Sequence, residues 1–223
     1  DPGTDPHALI VRYSSAMQLE FTKMHGAGND VIVFDAPLDG RLPTAQQWRA
    51  LSDRHKGIGF DQAMVIEPPR RAGTQAYYRI FNADGGEVEQ CGNGVRCVAS
   101  YLLRRGLVEN GAIALDSPAG LINVRIHDAG LVSVDMGPPN FDPKSLPFEA
   151  SAEAHVYPLQ VAGTEVEIGA VSMGNPHAVL TVTSVASAPV DRLGPAIENH
   201  SRFPRRVNVG FMEIVDRSHI RLR

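Results

Sequence analysis

The chain has 223 residues, 43% hydrophobic and 21% charged, with 21 basic against 25 acidic side chains and a formal net charge of -4. That apolar share is ordinary for a globular protein and far too high for a disordered one, and the charge balance leaves no basic excess for gripping nucleic acid or an anionic membrane. At roughly 150 residues per domain, the length corresponds to about one and a half domains.

Two cysteines exclude a disulfide scaffold and suit a reducing cytoplasm. The longest apolar runs, such as 31–34 and 112–115, are too short to cross a bilayer. The expectation is a soluble cytoplasmic protein. Residues 1–16 stand apart. Asp1-Pro2-Gly3-Thr4-Asp5-Pro6 is turn chemistry without periodicity, the apolar stretch 8–11 is too short for a signal-peptide core, and no methionine precedes Met17. This segment reads as an expression tag or leader, with Met17 the natural start.

From residue 18 onward, short runs rich in β-branched or aromatic residues alternate with Gly, Pro, Asn or Asp. The expected strands are 31–34, 63–66, 77–81, 112–115, 121–126, 131–136, 156–161, 166–171, 178–182 and 209–215. Helical patterns are fewer. One covers 44–55 with Thr44 as N-cap. A stronger one opens after Cys91, where Val95, Val98, Ala99 and Leu102 recur at helical spacing and Gly106 stands as a C-terminal cap. Many strands around few apolar helices predict an α+β protein.

A weak internal repeat accompanies this pattern. Gly28-Asn29 precedes an apolar strand and returns as Gly174-Asn175; Gly59-Phe60 is echoed by Gly210-Phe211. Cys91 follows Asn29 by 62 residues, so a matching helix start would fall near position 237, past Arg223. The first copy is read as whole and the second as cut.

Cys91-Gly92-Asn93-Gly94 heads the apolar helix. A helix N-terminus carries unpaired N–H groups and partial positive charge, which stabilise a thiolate and make Cys91 a competent base or nucleophile. The glycines allow close backbone approach, and the N–H groups of Gly92 and Asn93 could hold a carboxylate. The alternative is a structural cysteine at a turn. Cys97, six residues into the helix, reads as a small core side chain, and no spacing supports a zinc site. His25 and His177 sit in the repeat, where packing or capping is the plainer role. Asn29, Gln62, Asn82, Asn93, Asn175 and Asn208 fall at strand ends or turns. They are turn residues or a neutral pocket for a very polar ligand.

These segments resemble the diaminopimelate epimerase family. The likeness rests on Phe21-Thr22-Lys23-Met24-His25-Gly26-Ala27-Gly28-Asn29-Asp30, on Gly57-Ile58-Gly59-Phe60-Asp61-Gln62, and on Tyr78-Arg79-Ile80-Phe81-Asn82. It continues through Glu89-Gln90-Cys91-Gly92-Asn93-Gly94-Val95-Arg96-Cys97, Met173-Gly174-Asn175-Pro176-His177 and Val207-Asn208-Val209-Gly210-Phe211-Met212. The resemblance implies epimerisation of LL- to meso-diaminopimelate, in lysine and cell-wall precursor synthesis, with neither pyridoxal phosphate nor metal. It implies two cysteines on opposite substrate faces, one thiolate removing the α-proton and one thiol returning a proton.

By position, Cys91 matches a catalytic cysteine, and Gly92 and Asn93 match contacts at the reacting end. Asn29 and Gln62 match further pocket residues. Asn82, Asn175 and Asn208 match readers of the distal end, and His177 an orienting residue near the cysteines. The implied fold is two pseudo-symmetric domains, each a mixed sheet around a central helix, with the site between them. They are assigned to residues 17–135 and 136–223, in a homodimer. The resemblance also implies a second cysteine and a second central helix past Arg223, so the printed chain is expected to be C-terminally truncated and inactive alone. Competing readings are a proline-type racemase, a ligand- or partner-binding fragment, and a Cys–His hydrolase using Cys91 with His25 or His177.

Overall fold

The computed structural model describes residues 8–14, 17–88 and 90–223. The rest of the 1–16 segment and Glu89 of the cysteine motif lie outside the described residues. The chain divides into two compact units, with the boundary between Met136 and Gly137.

The first unit holds β1 (Ala8–Ser14), β2 (Met17–Gly26), β3 (Asn29–Asp35), α1 (Ala45–Ser52), β4 (Gln62–Glu67), β5 (Ala76–Asn82), β6 (Glu87–Val88), α2 (Gly92–Arg104), β7 (Gly111–Ser117), β8 (Gly120–Ile126) and β9 (Val132–Val134). The sheet order is β1-β2-β3-β4-β5-β7-β8-β9, with β6 paired to β5. The pairs β3–β4 and β5–β7 are parallel and the others antiparallel. Residues 8–14, within the segment read from the sequence as tag or leader, pair with β2. The run Leu9-Ile10-Val11 has strand propensity, and β2 offers it a free edge.

β3 and β4 are buried on both faces, as a covered parallel pair requires. Val31 and Val33 share a face with Met64 and Ile66, and this face packs on Val95, Val98 and Leu102 of α2. Ile32, Phe34, Ala63 and Val65 face Trp48 and Leu51 of α1. The Trp48 ring stacks on Phe81 at 5.2 Å and meets Phe60 edge-on at 6.2 Å. α1 begins with a full capping box: Thr44 Oγ1 accepts from the Gln47 N–H, and Gln47 Oε1 accepts from the Thr44 N–H. α2 ends in a Schellman motif. The Leu107 N–H reaches the Leu102 carbonyl, the Gly106 N–H reaches Leu103, and Gly106 takes φ +66°.

The second unit holds β10 (Tyr157–Val161), β11 (Thr164–Ser172), β12 (Pro176–Thr181), α3 (Val190–Glu198), β13 (Asn208–Ile214) and β14 (Ile220–Leu222), in sheet order β10-β11-β12-β13-β14. Its core joins Leu193 and Ile197 of α3 to Ala178, Leu180 and Phe211, closed by Leu146, Phe148 and Phe203. Phe148 and Phe203 stack at 4.5 Å. The other face carries Val179, Met212, Ile214, Ile220 and Leu222, of which the last three are more than half exposed.

The repeat is a repeat of topology. β2-β3-β4-β5 and β11-β12-β13-β14 both run antiparallel, parallel, antiparallel, and α1 and α3 are the crossovers of the two parallel pairs. Val31 pairs with Gln62 and His177 with Asn208, a separation of 31 residues in both. Gln62 and Asn208 are therefore counterparts. The expected echo of Gly59-Phe60 by Gly210-Phe211 is not one, since Phe60 precedes β4 whereas Phe211 lies inside β13 opposite Leu180. Among the described residues, no helix is long and apolar enough to cross a membrane.

Candidate active site

β3 and β4 run parallel, so both begin at the same edge of the first sheet; β5, antiparallel to β4, ends there. Asn29, Gln62 and Asn82 occupy those three strand ends. By strand alternation all three fall on the face that carries α2. Gln62 and Asn82 sit opposite each other, with Gln62 Nε2 donating to Asn82 Oδ1 at 3.1 Å. Gln62 Oε1 is buried and has no hydrogen-bond partner among the described residues. That leaves one acceptor open inside a half-buried polar cluster.

Cys91 is the N-cap of α2, extended at φ -153° and ψ 103°, and half-buried. Its Sγ accepts from the Gly94 N–H at 3.4 Å. The sulfur thus faces the N–H dipoles that open the helix. Two thioethers crowd the same turn. A Cβ on Gly94 would lie 2.7 Å from Met64 Sδ, and one on Gly92 would lie 3.0 Å from Met136 Sδ. A side chain at either position would require the methionine beside it to shift. These contacts were not legible beforehand, since Met64 and Met136 read as ordinary strand residues.

Asn93, the second residue of α2, donates from Nδ2 to Asn29 Oδ1 at 2.7 Å, and its own Oδ1 accepts from Arg96 Nη2. Asn29 and Asn93, 64 residues apart, thus meet beside the cysteine. Arg96 was quoted in the motif without a role; its i+3 spacing from Asn93 was the available signal. Next to Asn29 and Gln62, Asp30 and Asp61 both bind Arg54, and the Asp30 N–H donates to Asp61 Oδ2 at 2.8 Å.

Cys97 is 3% exposed, and burial pushes its thiol up to about 11. It stays protonated at neutral pH, walled in by the core. In the second unit, His177 Nε2 lies 2.8 Å from Asn175 Oδ1, and burial holds the imidazole below its usual value of 6.5. Asn208 Nδ2 donates to the Pro176 carbonyl at 3.1 Å. Asn175, His177 and Asn208 lie around the start of the parallel pair β12–β13, the counterpart of the edge that carries Asn29 and Gln62.

A family model described as diaminopimelate epimerase matches residues 21–142 and 169–223. The chain belongs to the diaminopimelate epimerase family. A diaminopimelate epimerase from Azotobacter vinelandii is 52% identical over 210 residues, covering 93% of this chain and 75% of that protein. One from Laribacter hongkongensis is 52% identical over 207 residues, covering 93% and 74%. Among solved structures, a probable proline racemase from Agrobacterium radiobacter shares the fold at TM-score 0.64 and 18% identity, covering 92% of this chain and 69% of that one. A hydroxyproline epimerase from Agrobacterium vitis does so at TM-score 0.57 and 17% identity, with the same coverage. The family placement makes the chain an isomerase polypeptide of mixed α+β fold.

Proposed function

We propose that Cys91 is one of two acid/base groups by which this epimerase interconverts LL- and meso-diaminopimelate. The observation that carries this reading is the position of the sulfur. Cys91 Sγ caps α2, and the N–H groups of Gly92 and Asn93 open the same turn. Its thiolate removes the α-proton, becoming a thiol. The electron pair left on Cα delocalises into the α-carboxylate, whose growing negative charge is met by the Gly92 and Asn93 N–H groups and the helix dipole. Those dipoles are fixed before the reaction, so no reorganisation is required when charge develops. A second acid then delivers a proton to the opposite face, which inverts the centre.

The second acid is not Cys97, the only other cysteine of the 223 residues, because it is buried in the core. The curated relatives include a quarter of their length that this chain does not match, and the family's second cysteine is assigned there. On the family resemblance, Asn29, Gln62 and Asn82, and likewise Asn175 and Asn208, are assigned as neutral donors and acceptors for a substrate with two amino-acid ends. Gln62 Oε1 is the acceptor left for an ammonium group. His177 is assigned an orienting role through Asn175. The protein is further assigned to the cytoplasm and to a homodimer, on the family resemblance.

The test follows solvent deuterium into Cα of diaminopimelate and the interconversion of its LL and meso forms. The unmatched quarter of the Azotobacter vinelandii relative is supplied as a fusion. The fused protein should turn over and its Cys91→Ala variant should lose at least about a thousandfold, as expected for removal of an acid/base group. Full turnover by Cys91→Ala would refute the assignment.

A further inference from the structure

Arg96 sits one turn into α2 and reaches back to the Asn93 side chain, which in turn reaches Asn29. The three form a chain with a definite direction. A guanidinium has five donors and no acceptor, so the atom of Asn93 facing Arg96 must be Oδ1. The other end of that amide is then Nδ2, a donor, and the Asn29 atom 2.7 Å away must be Oδ1. Asn29 is left with its own Nδ2 unspent among the described residues. Two asparagines alone would not have this direction. Both amides could rotate by half a turn, keep their mutual hydrogen bond, and present the Asn29 carbonyl instead. Only the group that cannot accept breaks the tie.

We infer that Arg96 is a positioning residue that sets the hydrogen-bond polarity of Asn93 and, through it, of Asn29, so that Asn29 meets its ligand as an N–H donor and selects a carboxylate. The inference rests on the reading that this cluster receives an amino-acid substrate. It adds the residue that decides which ligand group the cluster accepts. Arg96 touches no reacting atom and acts through two amides in series. A lysine at 96 also only donates and preserves the direction. A glutamine can donate or accept, and loses it.

The direct measurement needs no turnover. In the ¹⁵N,¹³C-labelled full chain, scalar coupling across the Asn29–Asn93 hydrogen bond should run from the Asn93 side-chain N–H to the Asn29 carbonyl carbon. Coupling in the reverse sense would overturn the inference. In the fused enzyme, Arg96→Gln should raise KM for diaminopimelate more than it lowers kcat, and Arg96→Lys should restore most of the loss. Asn29→Asp, which presents only acceptors, should abolish binding of the dicarboxylate; tolerance of that change would also overturn the inference. Loss of turnover in Cys91→Ala together with a tolerated Asn29→Asp would leave the catalytic reading intact and remove only this one. Retained turnover in Cys91→Ala would instead remove the catalytic reading, while the coupling measurement would still decide the polarity.

Discussion

Gly26, the last residue of β2, lies against Asn93. A Cβ added there would come 2.6 Å from the Asn93 carbonyl oxygen and 3.3 Å from its Cβ. The strand end therefore abuts the backbone that opens α2, the same backbone whose N–H groups are assigned to the substrate carboxylate. Gly26 has no positive φ, so its role is close approach rather than backbone freedom.

Gly26→Ala should consequently shift the start of α2 rather than unfold β2. Overpacking of this kind costs about 1–3 kcal/mol in stability. Activity should fall further, by about a hundredfold, because a misplacement of roughly an ångström at a reacting centre has that effect. Thermal melts and kcat/KM of the fused enzyme measure the two. Equal, small losses in both would show that the contact only packs.

How much of this was legible in the sequence depends on whether the deciding signal was local. The start of α2 at Cys91 and its end at Gly106 were legible, because cap residues and helical periodicity lie within one segment. The parallel core strands were legible as apolar runs. α3 was not. It contains Gly194 and Pro195, its N-cap Pro189 makes no side-chain cap, and only Leu193 and Ile197 of its nine residues are buried. β2 was missed because the polar side chains Glu20, Lys23 and His25 interrupt its pattern. The amides were identified as candidates by type and place. Their partners were not, since the Asn29–Asn93 pair spans 64 residues and Arg54 joins two separate strand starts.

That Arg54 clamp leads to a second expectation. Arg54 holds Asp30 and Asp61 together, and its hydrogen bond keeps the Asp30 carboxyl below the usual range. The neighbours of those aspartates are Asn29 and Gln62. The ion pairs are exposed, so Arg54→Ala should barely change the melting temperature. Substrate affinity should fall measurably more than stability, and high salt should mimic part of the effect in the wild type. An affinity that is unchanged in Arg54→Ala would show that the clamp does not set the two amides.

Trp48 offers a test of the first core that separates packing from hydrogen bonding. Its ring is 1% exposed, yet its Nε1 has no hydrogen-bond partner among the described residues. Trp48→Ala should cost about 3–5 kcal/mol through lost burial and a cavity. Trp48→Phe loses less area and also removes an unsatisfied donor, which itself costs about 1–3 kcal/mol. The phenylalanine variant should therefore lie within about 1 kcal/mol of wild type in urea melts. A loss as large as that of alanine would mean that the indole N–H does have a partner.

His177 gives the pH dependence. Burial holds its pKa below the unfolded value of 6.5, because the charged imidazolium would lose solvation. Between those two values the unfolded chain binds the proton and the folded chain does not. Its contribution to stability is therefore complete above pH 6.5 and is lost as the pH falls through the folded value. At neutral pH the ring is uncharged. With Asn175 Oδ1 assigned as the atom facing Nε2 at 2.8 Å, the expected tautomer carries its proton on Nε2. NMR titration of the imidazole nitrogens should show the Nε2–H tautomer and a midpoint below 6.5. His177→Gln keeps a donor toward Asn175 and removes the titration, so it should flatten the stability profile over that window while preserving substrate binding. A midpoint at or above 6.5 would contradict the burial of a neutral ring, and the Nδ1–H tautomer would contradict the assignment, because Nε2 would then accept and engage the Asn175 amide N–H.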